Sequence, residues 1–304
     1  MTTPRITISV PSETMHARLA PVDGASFVVW DMVSAPPPAV TMAVVPYMAE
    51  ASIVRRIAGT AVSVVQSQSI GYDGVAEALP ANVAFCNAAG VHEASTAELA
   101  VALTLASLRG IPEFAAAQAE GRWAHERFDS LADKRVLVLG QGGIGRAAAL
   151  RFRPFEVDLV RVATTARTDE FGEIHPISQL AGLLPEADVV LLAVPLTPAT
   201  THLVDDAFLS AMKPGALLVN VSRGAVVDTD ALLAHAGRIR AALDVTDPEP
   251  LPADHPLWRA AGILITPHVG GDSTAMAPRM ERLIRDQAAR LVRGEEPQNV
   301  VLRT

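Results

Sequence analysis

The sequence predicts an α/β protein with two domains, each built around a mainly parallel sheet. Short apolar runs alternate along the chain with segments long enough for a helix, which is the pattern of a parallel sheet covered by helices. A glycine-rich turn, from Gly140 to Gly145, directly follows one apolar run and precedes a helical stretch. At 304 residues the chain is longer than a single hydrophobic core usually organises, so we expect two domains.

The first sheet is predicted from five apolar runs near the start of the chain, at residues 6–10, 27–30, 42–45, 62–66 and 83–85. A long helix follows. We expect it to begin near Ser95, whose side chain can cap the first turn together with Glu98, and to end at Gly110 before Pro112.

The second sheet is predicted from six apolar runs, at residues 135–139, 157–163, 188–193, 216–221, 241–244 and 263–265. Six strands with helices between them are typical of a doubly wound sheet. An amphipathic stretch at 278–292 then predicts a closing helix, and residues 299–301 are expected to return to the first sheet. The predicted domains are therefore 1–96 with 279–304, and 97–278.

Composition limits the classes of function. The net charge of −8, without a Lys/Arg cluster, argues against a nucleic-acid partner. The single cysteine, Cys86, forbids an intrachain disulfide and favours the cytoplasm, and eight histidines without short Cys/His spacing make a metal site improbable. The uncharged stretch 32–49 contains four prolines, so we expect no regular membrane span, and we see no secretion leader at residues 1–5.

The turn Gly140-Gln141-Gly142-Gly143-Ile144-Gly145 has the spacing of a dinucleotide-binding fingerprint. Gly140 permits a tight turn, Gly142 lets the backbone approach a pyrophosphate, and Gly145 allows close packing of helix on strand. The helix N-terminus that follows favours an anion through its N–H groups and its dipole. The alternative is an ordinary glycine turn, but the preceding apolar strand and the following Ala-rich helix favour cofactor binding.

Three residues that follow predicted strands, Arg223, Glu249 and His268, suit the chemistry of a small 2-keto acid. Arg223 offers a permanently charged fork for a carboxylate and a carbonyl oxygen. His268 can titrate near neutrality and exchange a proton with that oxygen, while Glu249 would orient the imidazole and favour its protonated form. Taken singly, each has an alternative as a solvated or structural residue. Loops at the carboxyl ends of strands border the ligand crevice of an α/β sheet, so we expect the three to converge.

The chain resembles the D-isomer-specific 2-hydroxyacid dehydrogenase family in five ordered motifs. These are the glycine loop, residues 193–198 with Thr200, residues 220–228, residues 243–250, and Thr266-Pro267-His268; weaker matches lie at 69–73 and 97–98. The resemblance implies a Rossmann-like cofactor domain inserted into a flavodoxin-like substrate domain, with homodimers formed through the cofactor domain. It implies that Trp123 either reaches the partner's cleft or is only an interface residue.

The resemblance also implies further binding residues. Asp244 matches the position that contacts the nicotinamide carboxamide, with a helix or turn cap as its alternative. The backbone around Ser69, Ile70 and Gly71 is expected to bind the substrate together with Arg223 and His268. Other positions expected to contact the cofactor are Val194, Pro195, Thr200, Val221 and Gly270.

The phosphate preference of the cofactor is predicted from the end of the second strand of the cofactor domain. An NAD enzyme places an acidic residue there for the ribose hydroxyls, whereas this chain has Thr164, Thr165 and Arg167. Arg167 can pair with a 2′-phosphate, although Asp169 and Glu170 follow closely and would reduce the positive potential. We therefore expect NADP(H) to be preferred, with NAD(H) possible.

Together these observations predict a cytoplasmic NADPH-preferring 2-ketoacid reductase that acts on glyoxylate, hydroxypyruvate or a similar acid. Two alternatives share the fold. One is a dinucleotide-sensing regulator of the corepressor type, and the other is an oxidoreductase resembling phosphite dehydrogenase, which would need further basic residues in the pocket.

Overall fold

The computed structural model describes residues 6–304 and divides the chain into two compact units. The first unit combines the chain up to His92 with Thr274–Thr304, and the second is the continuous segment Glu93–Ser273. The domain boundaries predicted after 96 and 278 lie four and five residues further along the chain than 92 and 273. Residues 1–5, on which we based the expectation of no leader, lie outside the described part.

The first part of the first unit contains five strands and one short helix. These are β1 (Ile6–Val10), α1 (Glu13–Arg18), β2 (Ala25–Val29), β3 (Val40–Val44), β4 (Val64–Gln66) and β5 (Ala84–Cys86). Helix α1 begins after Ser12, whose side chain accepts a hydrogen bond from the N–H of Met15.

The second unit alternates helices and strands. Its elements are α2 (Glu93–Leu108), α3 (Ile111–Ala119), β6 (Arg135–Leu139), α4 (Gly143–Phe152), β7 (Asp158–Ala163), β8 (Arg167–Asp169), β9 (Gly172–Pro176), α5 (Leu180–Leu183), β10 (Val189–Leu192), α6 (Asp206–Ala211), β11 (Leu217–Asn220), α7 (Thr229–Ala234), β12 (Arg240–Leu243) and β13 (Ile263–Ile265). The chain then returns to the first unit with α8 (Met276–Val292) and β14 (Val300–Arg303).

The first sheet has the order β14-β5-β4-β3-β1-β2. Its strands β1 to β5 are parallel and follow the 2-1-3-4-5 order of flavodoxin-like folds. Strand β14 pairs antiparallel with β5, which confirms that the end of the chain returns to this sheet. The predicted closing helix is also confirmed, as α8.

The second sheet has the order β13-β12-β11-β10-β6-β7-β9-β8 and contains the 3-2-1-4-5-6 order of a doubly wound dinucleotide-binding fold. The prediction of six strands was wrong, because β8 and β9 form an additional hairpin after β7. These two strands are short and polar, and Ile174 is their only buried residue. They therefore lack the apolar run by which the other strands were recognised.

Alternate residues of the second sheet support a core on each of its faces. Val136, Val138, Leu191 and other residues pack with α2 and α4. Leu137, Leu139 and Val190, on the opposite face, pack with α6 and α7. Both faces of the sheet are thus covered, which explains why its strands are continuous apolar runs.

Helix α2 begins at Glu93, so Ser95 lies inside its first turn. The expected cap at Ser95 was therefore wrong, and its hydroxyl lies 2.7 Å from that of Ser273 instead. Among the described residues, no single helix has the length and apolar character to cross a membrane. Only α2 and α3 taken as a pair meet both criteria, and they are bent by 66°.

Candidate active site

The predicted site residues of the second unit lie at one edge of its sheet. Strands β6, β10, β11, β12 and β13 are parallel and in register, with Leu139, Leu192, Asn220, Leu243 and Ile265 as neighbours across the sheet. The glycine loop and the segments that carry Arg223, Asp244 and His268 follow these strands directly. Since this is the edge at which α/β sheets bind ligands, the segments are placed correctly for one site.

The glycine loop fits the pyrophosphate of a dinucleotide. Gly140 has a φ of +99°, and side chains at Gly140 and Gly145 would overlap the carbonyl oxygens of Ala193 and Gly140, respectively. A Cβ at Gly142, in contrast, would meet no atom within 4 Å, so the backbone there is open to a ligand. Helix α4 begins at Gly143 without a side-chain cap, which leaves its first N–H groups for an anion.

His268 and Glu249 are in direct contact. Nδ1 of His268 donates a hydrogen bond to Oε1 of Glu249 over 2.5 Å, and the two side chains are 27% and 36% exposed. His268 has a φ of +54°, a left-handed conformation that is uncommon for a non-glycine residue and is often found at functional sites. Its own N–H donates to the carbonyl oxygen of Asp244 over 2.7 Å, which stabilises this backbone conformation.

The carboxylate of Asp244 organises the loop that carries His268. The side chain is only 2% exposed. Its Oδ1 accepts hydrogen bonds from the hydroxyl of Thr266 (2.7 Å) and the N–H of Val269 (2.9 Å), and its Oδ2 accepts one from the N–H of Gly270 (2.8 Å). The alternative role of Asp244 as a turn cap is therefore present in the structure. One lone pair of Oδ2 remains for the predicted contact with a cofactor.

Two buried polar residues that we did not single out hold the segment of Arg223. Asn220 accepts a hydrogen bond from the N–H of Ser222 and donates one to the carbonyl oxygen of Arg223, both over 3.0 Å. Ser222 accepts one from the N–H of Val194 over 3.1 Å, which links this segment to the one that follows β10. Both residues lie in a motif that we recognised, so their polarity between apolar neighbours was the available signal.

Gly224 connects the Arg223 segment to the segment of Glu249. A side chain at Gly224 would overlap the backbone of Thr246, so only glycine allows this approach. The structure thus brings Glu249 and His268 together directly and places Arg223 on the adjoining segment, where its guanidinium also donates to the carbonyl oxygen of Ser222.

The side chain of Thr200 stabilises the segment that follows β10. Its hydroxyl donates to the carbonyl oxygen of Pro195 over 2.6 Å and accepts a hydrogen bond from the N–H of Thr197. The side-chain amide of Gln141 likewise donates within its own loop, to the carbonyl oxygens of Val138 and Gly140. Since both side chains are engaged, contacts of Thr200 or Gln141 with a cofactor would come through their backbones or through remaining lone pairs.

The predicted substrate-binding segment lies in the first unit. Carbonyl oxygens of Ser69 and Ile70 accept hydrogen bonds from the N–H of Ala88 and the side chain of Asn87, both over 2.9 Å. Within residues 6–304, the N–H groups of Ile70 and Gly71 donate no hydrogen bond, so they are available to a ligand.

A family comparison is consistent with this geometry. Residues 101–270 match the model for the D-isomer specific 2-hydroxyacid dehydrogenase family, NAD binding domain, and this match covers more than half of the chain. The chain belongs to the D-isomer-specific 2-hydroxyacid dehydrogenase family. It is accordingly an NAD(P)-dependent oxidoreductase of 2-hydroxy acids, and the predicted combination of Rossmann-like and flavodoxin-like folds is confirmed.

Other members of the 2-hydroxyacid dehydrogenase family are similar over most of their length. A glyoxylate reductase from Korarchaeum cryptofilum is 34% identical over 253 residues, which are 78% of this chain and 75% of the relative. The D-isomer specific 2-hydroxyacid dehydrogenase from Xanthobacter autotrophicus Py2, solved with NADPH and MES, is 27% identical with a TM-score of 0.82, covering 99% of this chain and 98% of the other.

The NADPH-dependent glyoxylate/hydroxypyruvate reductase from Sinorhizobium meliloti, solved with NADP and malonate, is 26% identical. Its TM-score is 0.80, and the superposition covers 98% of this chain and 97% of the other.

Proposed function

We propose that this dehydrogenase is an NADPH-preferring 2-ketoacid reductase that acts on glyoxylate, hydroxypyruvate or a similarly small acid. The contact between His268 and Glu249, at the same sheet edge as the glycine loop, carries the proposal. It pairs a proton-exchanging imidazole with a carboxylate that orients it, which is the arrangement that general acid–base catalysis needs.

A bound nicotinamide supplies the hydride that C2 of the 2-keto acid receives. Arg223 binds the substrate carboxylate through its planar fork and polarises the neighbouring carbonyl oxygen. His268 donates its Nε2 proton to that oxygen, so that the carbonyl becomes a hydroxyl, and takes the proton back in the reverse reaction. Glu249 holds the Nδ1–H, which fixes the ring and leaves Nε2 for the proton transfer.

In the first unit, the proposed substrate-binding segment is the backbone around Ser69, Ile70 and Gly71, with the N–H groups of Ile70 and Gly71 as its donors. The choice of substrate and cofactor is supported by relatives. The Korarchaeum relative is a glyoxylate reductase, and the Sinorhizobium relative is NADPH-dependent and reduces glyoxylate and hydroxypyruvate by its name. In this chain, residues 164–167 contain no carboxylate for the ribose hydroxyls, and Arg167 can pair with a 2′-phosphate, which supports NADPH as the cofactor.

A spectrophotometric panel tests the proposed function. Glyoxylate, hydroxypyruvate, pyruvate, phenylpyruvate and branched 2-keto acids are each assayed with NADPH and with NADH. We expect turnover of one or more of the small acids, with a higher kcat/KM for NADPH. No turnover of any acid with either cofactor would contradict a reductase and favour the dinucleotide-sensing regulator.

Two variants test the assigned roles. His268→Ala should abolish reduction and leave NADPH binding, followed by fluorescence, nearly unchanged; a fully active variant would overturn the acid–base role. Arg167→Ala should weaken the binding of NADPH but not that of NADH. Equal weakening of the binding of both cofactors would refute the contact of Arg167 with the 2′-phosphate.

The proposed cytoplasmic enzyme is a homodimer formed through the cofactor domain. Trp123 is 96% exposed and lines an open groove of about 560 Å³ together with Phe114 and Ala117, among other residues. A fully exposed tryptophan beside such a groove supports an interface, because aromatic residues are enriched at protein–protein contacts. Light scattering should give twice the chain mass for the native protein and for the control variant Ile177→Ser. Trp123→Ser should give a smaller mass. A monomeric native protein would refute the dimer.

A further inference from the structure

The hairpin of β8 and β9 carries Arg167 but has little backbone pairing with the rest of the sheet. Strand β9 pairs with β7 only through Val162 with His175 and Ala163 with Pro176. Strand β8 pairs only with β9. The position of Arg167 relative to the glycine loop therefore depends on side chains that attach the hairpin to its surroundings.

The main attachment is an ion pair between Arg161 on β7 and Asp169 at the end of β8. NH1 and NH2 of Arg161 donate to the two carboxylate oxygens of Asp169, each over 2.9 Å, and NH2 also donates to the carbonyl oxygen of Gly172 over 2.8 Å. The Arg161 side chain is only 3% exposed, and that of Asp169 is 20% exposed. Hydrogen bonds from Arg161 lower the pKa of Asp169 to about 2, so the pair is fully ionised at neutral pH.

A second attachment lies at the tip of the hairpin. Glu170 pairs with Arg146 of α4, and the ring of Phe171 lies 5.2 Å from the guanidinium carbon of Arg146 and 5.3 Å from that of Arg153. The side chains of Glu170 and Arg146 are 58% and 48% exposed, so this ion pair contributes little stability. It nevertheless joins the hairpin to the helix that begins at the glycine loop.

These contacts account for the two carboxylates nearest to Arg167 in sequence. Asp169 is paired with Arg161, and Glu170 with Arg146. Arg167, in contrast, forms no ion pair within the described residues, and its NH2 lies 3.4 Å from the carbonyl oxygen of Gln141 in the glycine loop. Arg146 and Arg161 are thus each neutralised by one carboxylate, whereas the positive charge of Arg167 is not.

We propose that Arg161 and Asp169 are positioning residues for cofactor selection, which hold the hairpin so that Arg167 meets the 2′-phosphate of NADPH beside the glycine loop. The inference rests on the proposed NADPH preference. Their ion pair fixes the backbone on both sides of the hairpin turn, because Arg161 also binds the carbonyl oxygen of Gly172. Neither residue contacts the nicotinamide half of the cofactor in this assignment, so hydride transfer itself does not depend on them.

Steady-state kinetics of Asp169→Asn and Glu170→Gln test the proposal. Both changes remove one negative charge from the same hairpin, but only the first breaks the buried pair. We expect Asp169→Asn to raise the KM for NADPH about ten-fold, and to leave the KM for NADH and both kcat values within about two-fold. Glu170→Gln should leave the NADPH/NADH ratio of KM values near that of the native enzyme. Asp169→Glu, which restores the charge, should recover part of the selectivity.

Three results would overturn the proposal. If Asp169→Asn raises the KM for NADPH and for NADH equally, the role of the pair is purely structural. If the NADPH/NADH ratio of KM values is unchanged and neither KM rises, the pair has no role. If both Asp169→Asn and Glu170→Gln bind NADPH more tightly, only the charge of the hairpin matters. If Asp169→Asn does not fold, Arg161→Lys keeps the charge and removes the fork, and calorimetry then compares adenosine 2′,5′-bisphosphate with AMP. Selective weakening of the bisphosphate supports the proposal, and equal binding changes refute it.

The failure of this inference is distinguishable from failure of the NADPH preference. A native enzyme that prefers NADH, or an Arg167→Ala variant without selective loss, removes the preference itself. A selective loss in Arg167→Ala without one in Asp169→Asn leaves the preference standing and refutes the role of the ion pair.

Discussion

Replacement of Asp244 by asparagine tests how the loop of His268 is held. The carboxylate accepts three hydrogen bonds, from Thr266, Val269 and Gly270, in a site that is 2% exposed. The amide oxygen of asparagine can keep the bonds from Thr266 and Val269 if it takes the place of Oδ1. Its NH₂ group then faces the N–H of Gly270, so that two donors oppose each other. In the opposite orientation the amide oxygen keeps the bond from Gly270 and the NH₂ group can donate to the Thr266 hydroxyl, but it opposes the N–H of Val269, so one bond is lost in either case.

One hydrogen bond to a charged group contributes about 1.5–3 kcal/mol, so Asp244→Asn should lower the free energy of unfolding by about 2 kcal/mol. For a domain of this size, that corresponds to a fall in Tm of roughly 4–8 °C. Thr266→Val is the matched control, since it removes one hydroxyl donor and no charge, and we expect about half the fall in Tm. Both variants should also reduce kcat, because the segment on which His268 lies loses support.

The assay is thermal unfolding of the protein without cofactor, followed by reductase kinetics. If Asp244 acts only through a contact with the nicotinamide, Asp244→Asn melts like the native protein and weakens NADPH binding alone. That result would refute the reasoning, as would a Thr266→Val variant that is less stable than Asp244→Asn.

Three further outcomes follow from local geometry. Gly145→Ala should lower Tm and abolish NADPH binding, because its Cβ would overlap the carbonyl oxygen of Gly140. Gly142→Ala should leave Tm unchanged, because the space around its Cβ is open. Equal melting curves for the two variants would contradict this expectation. Burial raises the pKa of the Cys86 thiol to about 11, so a thiol reagent at pH 8 should react only after unfolding, and rapid labelling of the native protein would be the contrary result. Because the pKa of Asp169 falls from 3.8 to about 2, its stabilisation is present above pH 4 and lost toward pH 2; the Tm difference between the native protein and Asp169→Asn should shrink over that range, and a constant difference would argue against it.

The sequence alone determined the apolar strands of both sheets, the position of the glycine loop and the identity of the residues proposed for catalysis. These features are local. An apolar run predicts a buried strand wherever it occurs. Gly140 is required by its own φ of +99°, and Gly145 by the carbonyl oxygen of Gly140, which lies close by in the chain. The position of Arg223, Glu249 and His268 after strands was enough to place them at one edge, because parallel strands share that edge.

Only the tertiary structure decided which polar groups pair with which. The start of α2 at Glu93, the hairpin after β7, and the hydrogen bonds of Asp244 to residues more than twenty positions away depend on strand register and packing. Asp169 looked like a carboxylate that would weaken binding of a phosphate, yet the buried Arg161 neutralises it. A charge pattern along the chain gives the sign of each group, but its effect is set by the partner that folding places beside it.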